Sequence, residues 1–185
     1  MPSKCRIWSN IELKKFADRF RGKVLNVSGN RDEDKQGGFY RDYFRNADGY
    51  YLSNYGKGYR GKGGIKLNLE EKTNWQSQFN VVFNHTTLEH IYDVKNAFRI
   101  LCDLTKDILI LVVPYIQQKH IAPDKSYLDY WRFTDEVLKR MCKENKMEVL
   151  YLSVKKQTED DIDRESYIFL IATKNLNKWK SYNWN

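Results

Sequence analysis

Residues 108–113 read ILILVV, six consecutive apolar side chains followed by Pro114. In a strand, successive side chains point to opposite faces, so an unbroken apolar run of this length is buried on both. It is far too short for the ~20 residues of a membrane-spanning helix. A strand covered on both faces calls for a largely parallel sheet with helices packed above and below it.

The rest of the chain supplies such elements. Apolar alternation or short apolar runs predict strands over residues 23–28 (KVLNVS), 50–54 (YYLSN), 65–69, 79–83 (FNVVF), 107–113, 147–154 and 166–173. Apolar residues at helical spacing predict helices over 11–20, with Ser9 or Asn10 as cap, over 88–104, and over 135–144, capped by Thr134. Residues 39–44 read as a short helix or turn. The Gly-rich stretch 56–64 is too rich in glycine for a stable helix. The acidic run TEDDIDRE separates the last two strands and predicts an antiparallel pair, and Pro114 is expected to end the 107–113 strand. The sum is an α/β fold, a Rossmann-like doubly wound sheet, as one domain over residues 1–174 with a polar tail, 175–185, as a surface appendage. The 185 residues, 41% of them hydrophobic, suffice for that core.

In doubly wound sheets ligands bind at the carboxyl ends of the strands. The residues there are Ser28, Gly29 and Asn30, then Asn54 and Tyr55, Asn68 and Leu69, Asn84, His85 and Thr86, and Pro114 and Tyr115.

Charge and cysteines narrow the setting. Fourteen Lys/Arg against seven Asp/Glu fall within residues 1–63, so +7 of the net +8 lies there. The stretch 39–64 interleaves Tyr and Arg/Lys with Gly, a composition that can stack bases and neutralise phosphates, although no RNP, KH or zinc-finger signature accompanies it. Three scattered cysteines make no disulfide framework, the N-terminus has no apolar signal core, and no segment is long enough for a membrane span. A cytoplasmic protein is expected.

Four segments, in order, carry a resemblance: KVLNVSGN, YYLSNY, FNVVFNHTTLEHIYDVKNAFRIL, and ILILVVPYIQQKHIAPDKSYLDYWRFTDEVLKRM. They resemble the first strand and glycine loop, the second strand, the LEH segment and the DYWRFT segment of class I methyltransferases that use S-adenosylmethionine. The likeness covers about residues 20–173. It implies strand order 3-2-1-4-5-7-6 with strand 7 antiparallel, and S-adenosylmethionine as cofactor, with S-adenosylhomocysteine as product. The methionine end would lie over Gly29 (flanked by Asn26, Ser28 and Asn30), the ribose near Asn54, and the adenine between the neighbourhoods of Asn68–Leu69 and Asn84–His85–Thr86. The family usually carries acidic residues where this chain has Asn26 and Asn54, and commonly Asp at Asn68. An Asn offers one carbonyl acceptor and no charge, a loss of about 1–2 kcal/mol for each charge-assisted bond.

Methyl transfer needs in-line geometry and often a base. His120, in the loop after the 107–113 strand, is the first candidate base; His85 and His90 are the others, each with a structural reading beside it. Glu89 can orient a substrate or simply complement a helix terminus. His85, Glu89 and His90 lack HExxH spacing and a fourth ligand, so no metal site is expected. Tyr115, Tyr130, Trp131 and Arg132 are candidates for the acceptor pocket. Trp131 and Arg132 have the alternative of a structural clamp, Arg132 pairing with Asp129. Tyr40 and Arg41 can reach the cofactor from the first loop. The function expected is methyl transfer to a small or saccharide-like acceptor, a class that rests on the DYWRFT resemblance. The alternative is a non-catalytic methyltransferase-like binding module with a degenerate cofactor site. A third reading is an RNA-binding or RNA-modifying protein, with nucleic acid as partner.

Overall fold

The structure is a computed structural model; it describes residues 2–29, 31–55, 64–71, 78–121, 127–157 and 165–184. Asn30, most of the Gly-rich stretch and most of the acidic run between the last two strands lie outside the described residues.

Seven strands form one sheet: β1 (Gly22–Val27), β2 (Ala47–Asn54), β3 (Ile65–Lys66), β4 (Phe79–His85), β5 (Thr105–Ile116), β6 (Glu148–Val154) and β7 (Ser166–Thr173). Their order is β3-β2-β1-β4-β5-β7-β6. β1 pairs in parallel with β2 and β4, β2 with β3, and β4 with β5, while β7 runs antiparallel to both β5 and β6. The apolar run is the hinge of this arrangement. Leu109, Leu111 and Val113 face a core built with α2 (Val94–Leu104) and α3 (Asp135–Glu144). Ile108, Ile110 and Val112 face a second core with α1 (Lys4–Phe16) and the aromatic side chains Tyr40, Tyr43 and Phe44.

Several boundaries differ from the sequence expectation, each for a local reason. α1 begins at Lys4, capped by the Ser3 hydroxyl, which accepts from the Arg6 amide. Ser9 and Asn10 therefore lie inside the helix, buried, and spend their side chains on the loop beneath and on His85. The expected 88–104 helix is two pieces: a 3-10 turn over Leu88–His90, then α2 with the Asp93 carboxylate accepting from the Asn96 amide. Pro114 does not end β5. It stands opposite Tyr167 at a register irregularity, where a missing N–H costs the ladder little. Its carbonyl accepts from the Phe133 amide.

The tail is no surface appendage. A single helical turn, α4 (Leu176–Trp179), sets the Trp179 ring 5.6 Å from Phe20 with 3% of the residue exposed. Trp184 stacks on Phe16 at 5.5 Å. The Asp107 carboxylate at the base of β5 accepts from the Trp179 indole and pairs with Lys178.

Candidate functional site

The site lies at the carboxyl ends of β1, β2 and β4. After Val27 the chain turns through Ser28, whose φ of 60° is left-handed, into Gly29, whose amide donates to the Ser53 carbonyl. A Cβ on Gly29 would stand 2.6 Å from the Asn26 Nδ2, so glycine is required by close approach. The Asn26 amide donates to Asp32 Oδ1 at 2.9 Å, and the Tyr50 hydroxyl donates to the same oxygen at 2.7 Å. The other oxygen, Oδ2, accepts from both the backbone amide and Nε of Arg41. Asp34 is built in similarly, accepting from the Gln36 and Gly38 amides and from the Tyr43 hydroxyl. Burial alone would raise the Asp34 pKa, but these donors outweigh it and hold the carboxyl below its ordinary value. Two buried carboxylates thus shape the loop after β1.

α1 closes the site from the other side. The Arg6 guanidinium donates to the Tyr40 hydroxyl at 3.0 Å, to His85 Nδ1 at 2.8 Å and to the Thr86 hydroxyl at 3.2 Å. An imidazole nitrogen that accepts from guanidinium carries no proton, so the proton sits on Nε2, which donates to the Ser9 hydroxyl at 2.9 Å. Burial, with the Arg6 charge, keeps the His85 pKa well below its ordinary value. His85 therefore positions Arg6 and is poorly placed to act as a base.

Two adjoining cavities open along these strand ends. The smaller, about 380 Å³, is bounded by Asn26, Ser28, Gly29, His85 and Thr86 together with Arg6, Arg31, Lys35 and Tyr40. The larger, about 660 Å³, runs from Ser28 past Asn54, Asn68 and Leu69 to Glu89, His90 and His120. Arg6, Ser28, Thr86 and Thr87 border both, which makes them one cleft. The sequence-expected residues Asn26, Ser28, Gly29, Asn54, Asn68, Leu69, His85, Thr86, His90 and His120 come together here. Asn84 does not: it is wholly buried, and its amide donates to the Val27 carbonyl, tying β4 to β1. Asn68 is engaged locally, its oxygen accepting from the Glu70 amide and its nitrogen donating to Glu71.

Tyr115, Tyr130, Trp131 and Arg132 border neither cavity. Arg132 grips Asp129 with two bonds of 2.7 Å and also donates to the Gln117 and Gln118 carbonyls. The Trp131 indole donates to the Ile91 carbonyl, and the Tyr130 amide to the Glu89 carbonyl. This is the structural clamp: it holds the loop after β5 against the 88–90 turn. Its product is a close grouping of Glu89, His90 and His120. Glu89 is fully buried and its pKa is pushed up to about 8, chiefly by that burial.

Sequence reasoning passed over Arg6, Asp32, Gln117, Tyr127 and Tyr167. The one available signal for Arg6 was the run Ser9, Asn10 and Glu12, polar residues on the inward side of an otherwise ordinary helix.

Strand order, direction and the placement of the cleft define the class I methyltransferase fold. No family model and no curated protein matches the chain by sequence. Among solved structures it is similar to an S-adenosylmethionine-dependent methyltransferase from Clostridium acetobutylicum, with TM-score 0.62 and 8% identity over 92% of each chain. It is also similar to an S-adenosylmethionine-dependent methyltransferase from Mesorhizobium loti, with TM-score 0.60 and 10% identity over 82% of this chain and 90% of that one. A third is magnesium protoporphyrin IX methyltransferase from Synechocystis, solved with S-adenosylmethionine bound, with TM-score 0.60 and 12% identity over 91% of this chain and 79% of that one. Among the described residues no helix is long and apolar enough to cross a membrane.

Proposed function

We propose that the protein binds S-adenosylmethionine along this cleft and transfers its methyl group to a small or saccharide-like acceptor. The observation that carries the reading is the continuity of the cleft. One end carries Arg6 and Arg31, with Lys35 paired to Glu33 at 2.9 Å, and its net positive charge suits an amino-acid carboxylate. Gly29, packed against the Asn26 side chain, presents its backbone at the wall of the smaller cavity, where the methionine end would lie. Asn54 at the tip of β2 offers a carbonyl oxygen to ribose hydroxyls, and Leu67 and Leu69 offer apolar surface to a purine. S-adenosylmethionine bound there would supply an electrophilic methyl, its C–S bond breaking as the bond to the acceptor forms, with the acceptor's proton passing to solvent. The wide half of the cleft, lined by His90, His120, Tyr127 and Tyr167, mixes aromatic faces with polar tips and fits a hydroxyl-bearing acceptor.

Thermal unfolding with and without S-adenosylmethionine or S-adenosylhomocysteine tests this. A native-state ligand stabilises by RT ln(1 + [L]/Kd), about 2.7 kcal/mol at a hundred times Kd. A saturable rise with both ligands is expected. No rise at millimolar concentration of either would overturn the reading and leave a fold without its cofactor.

A further inference from the structure

We infer that Glu89, His90 and His120 form a binding site for one divalent first-row transition ion, zinc being the reference case, at the wide end of the cleft. The ligand atoms of these three residues lie within 4.8 Å of one another. The Glu89 carboxyl group is 0% exposed, and neither of its oxygens has a hydrogen-bond partner among the described residues. A buried carboxyl group with no partner is costly whether it ionises or keeps its proton, and a cation that displaces the proton is one of the few things that satisfies it.

The two imidazoles are prepared for the same role. His90 Nδ1 lies 2.7 Å from the Leu128 carbonyl, which can only accept, so the proton is on Nδ1 and the Nε2 lone pair is free. That Nε2 stands 3.7 Å from Glu89 Oε1. His120 Nδ1 faces two acceptors, the Gln118 carbonyl at 3.3 Å and Asp129 Oδ2 at 3.4 Å, which leaves its Nε2 for a metal. Metal-binding histidines characteristically donate their other N–H to a carbonyl or a carboxylate, and here each does one of these. Arg132 holds Asp129, and the His120 amide donates to it, so the outer partner is itself fixed. Ligand atoms about 2.0–2.1 Å from a tetrahedral ion sit roughly 3.4 Å apart. The Glu89–His90 spacing is already close to that, and His120, on a partly exposed loop, needs only a small inward movement.

Two imidazoles and one carboxylate suit zinc, iron, cobalt or nickel far better than magnesium or calcium, whose sites are built from oxygen. Three protein ligands leave open positions, and those face the larger cavity. An open position can take an acceptor oxygen, lower its pKa and so ease loss of its proton to solvent. That role rests on the methyl-transfer reading; the ion's binding does not. The sequence concealed the site because its third ligand is thirty residues away, delivered by the clamp.

The test is titration of the chelator-stripped full chain with zinc by calorimetry and with cobalt by visible absorption, in the absence of S-adenosylmethionine. One ion per chain is expected, with a cobalt spectrum of mixed nitrogen and oxygen ligation. His120→Asn, on the partly exposed loop, and Glu89→Gln should each weaken binding by about a hundredfold or more, and Asp129→Asn by about 10–100-fold through His120. Absence of stoichiometric binding, or binding unchanged in His120→Asn and Glu89→Gln, would overturn the site. Zinc binding without any thermal response to S-adenosylmethionine would uphold the site and remove the methyl-transfer reading; the converse pattern would do the reverse.

Discussion

The Asn26 side-chain amide donates to the Asp32 carboxylate at 2.9 Å, beneath the turn that carries Gly29. Asn26 stands near the end of β1, and the carboxylate of a residue six positions later lies under the turn that follows it. Asp32 is 1% exposed, and four donors converge on it. Asp32→Ala strands the Asn26 amide and the Tyr50 hydroxyl, each at about 1–3 kcal/mol. A loss of about 2–4 kcal/mol in the urea-unfolding free energy is expected, together with a weaker thermal response to S-adenosylmethionine. A loss below about 0.5 kcal/mol would mean that the loop does not depend on this carboxylate.

Trp179 provides a second stability prediction. Its ring closes the face of the sheet beside Phe20, and its indole satisfies Asp107. Trp179→Ala should cost about 3–5 kcal/mol, as for other buried aromatic truncations, read from the denaturant midpoint at constant m. Trp179→Phe keeps most of the packing and isolates the cost of leaving Asp107 short of a donor. A change under about 1 kcal/mol for the alanine variant would return the tail to the status of an appendage.

What could be read in advance followed the range of the interactions involved. A largely parallel sheet with helices on both faces was legible because ILILVV is apolar on both sides; the strand order itself was implied only by the resemblance carried by the four segments. The polar interior of α1 was not, since Ser9 and Asn10 look like caps until Asp34 and His85 are known to lie beneath them. The strand-tip rule found Asn54, Gly29, Thr86 and His85, because topology alone determines those positions. It could not find Arg6, which enters from an element outside the strand tips, nor could it tell that Asn84 points between strands. Arg132 and Asp129, three residues apart, were legible as a pair; that their pairing brings His120 to Glu89 required the fold.

His85 makes stability depend on pH. Its folded-state pKa is pushed well below the ordinary value by burial and by the Arg6 charge. Below pH about 6.5 the unfolded chain takes up a proton that the folded chain refuses, so stability is fully present above that pH and falls as the pH drops. The slope for one such group approaches about 1.4 kcal/mol per pH unit. Unfolding measured from pH 7.5 to 5.5 should therefore show a loss that His85→Gln reduces by up to one proton's worth. An identical slope in the variant would mean that the imidazole protonates freely, and that Arg6 is not held against it as described.

Asn54 permits the prediction in the opposite direction. It ends β2 at the rim of the larger cavity, where the resembled family carries a carboxylate for the ribose hydroxyls. Asn54→Asp keeps the shape, doubles the acceptor oxygens and adds a charge. A charge-assisted bond gained in place of a neutral one contributes about 1–2 kcal/mol. S-adenosylhomocysteine, which lacks the sulfonium charge, is the better probe, because the added carboxylate then acts through the ribose rather than through long-range attraction to the sulfur. Its Kd should fall by about 5–30-fold in calorimetry at moderate salt, with affinity for adenine alone unchanged. A Kd that rises or stays level would place the ribose away from β2 and require a different orientation of the ligand in the cleft.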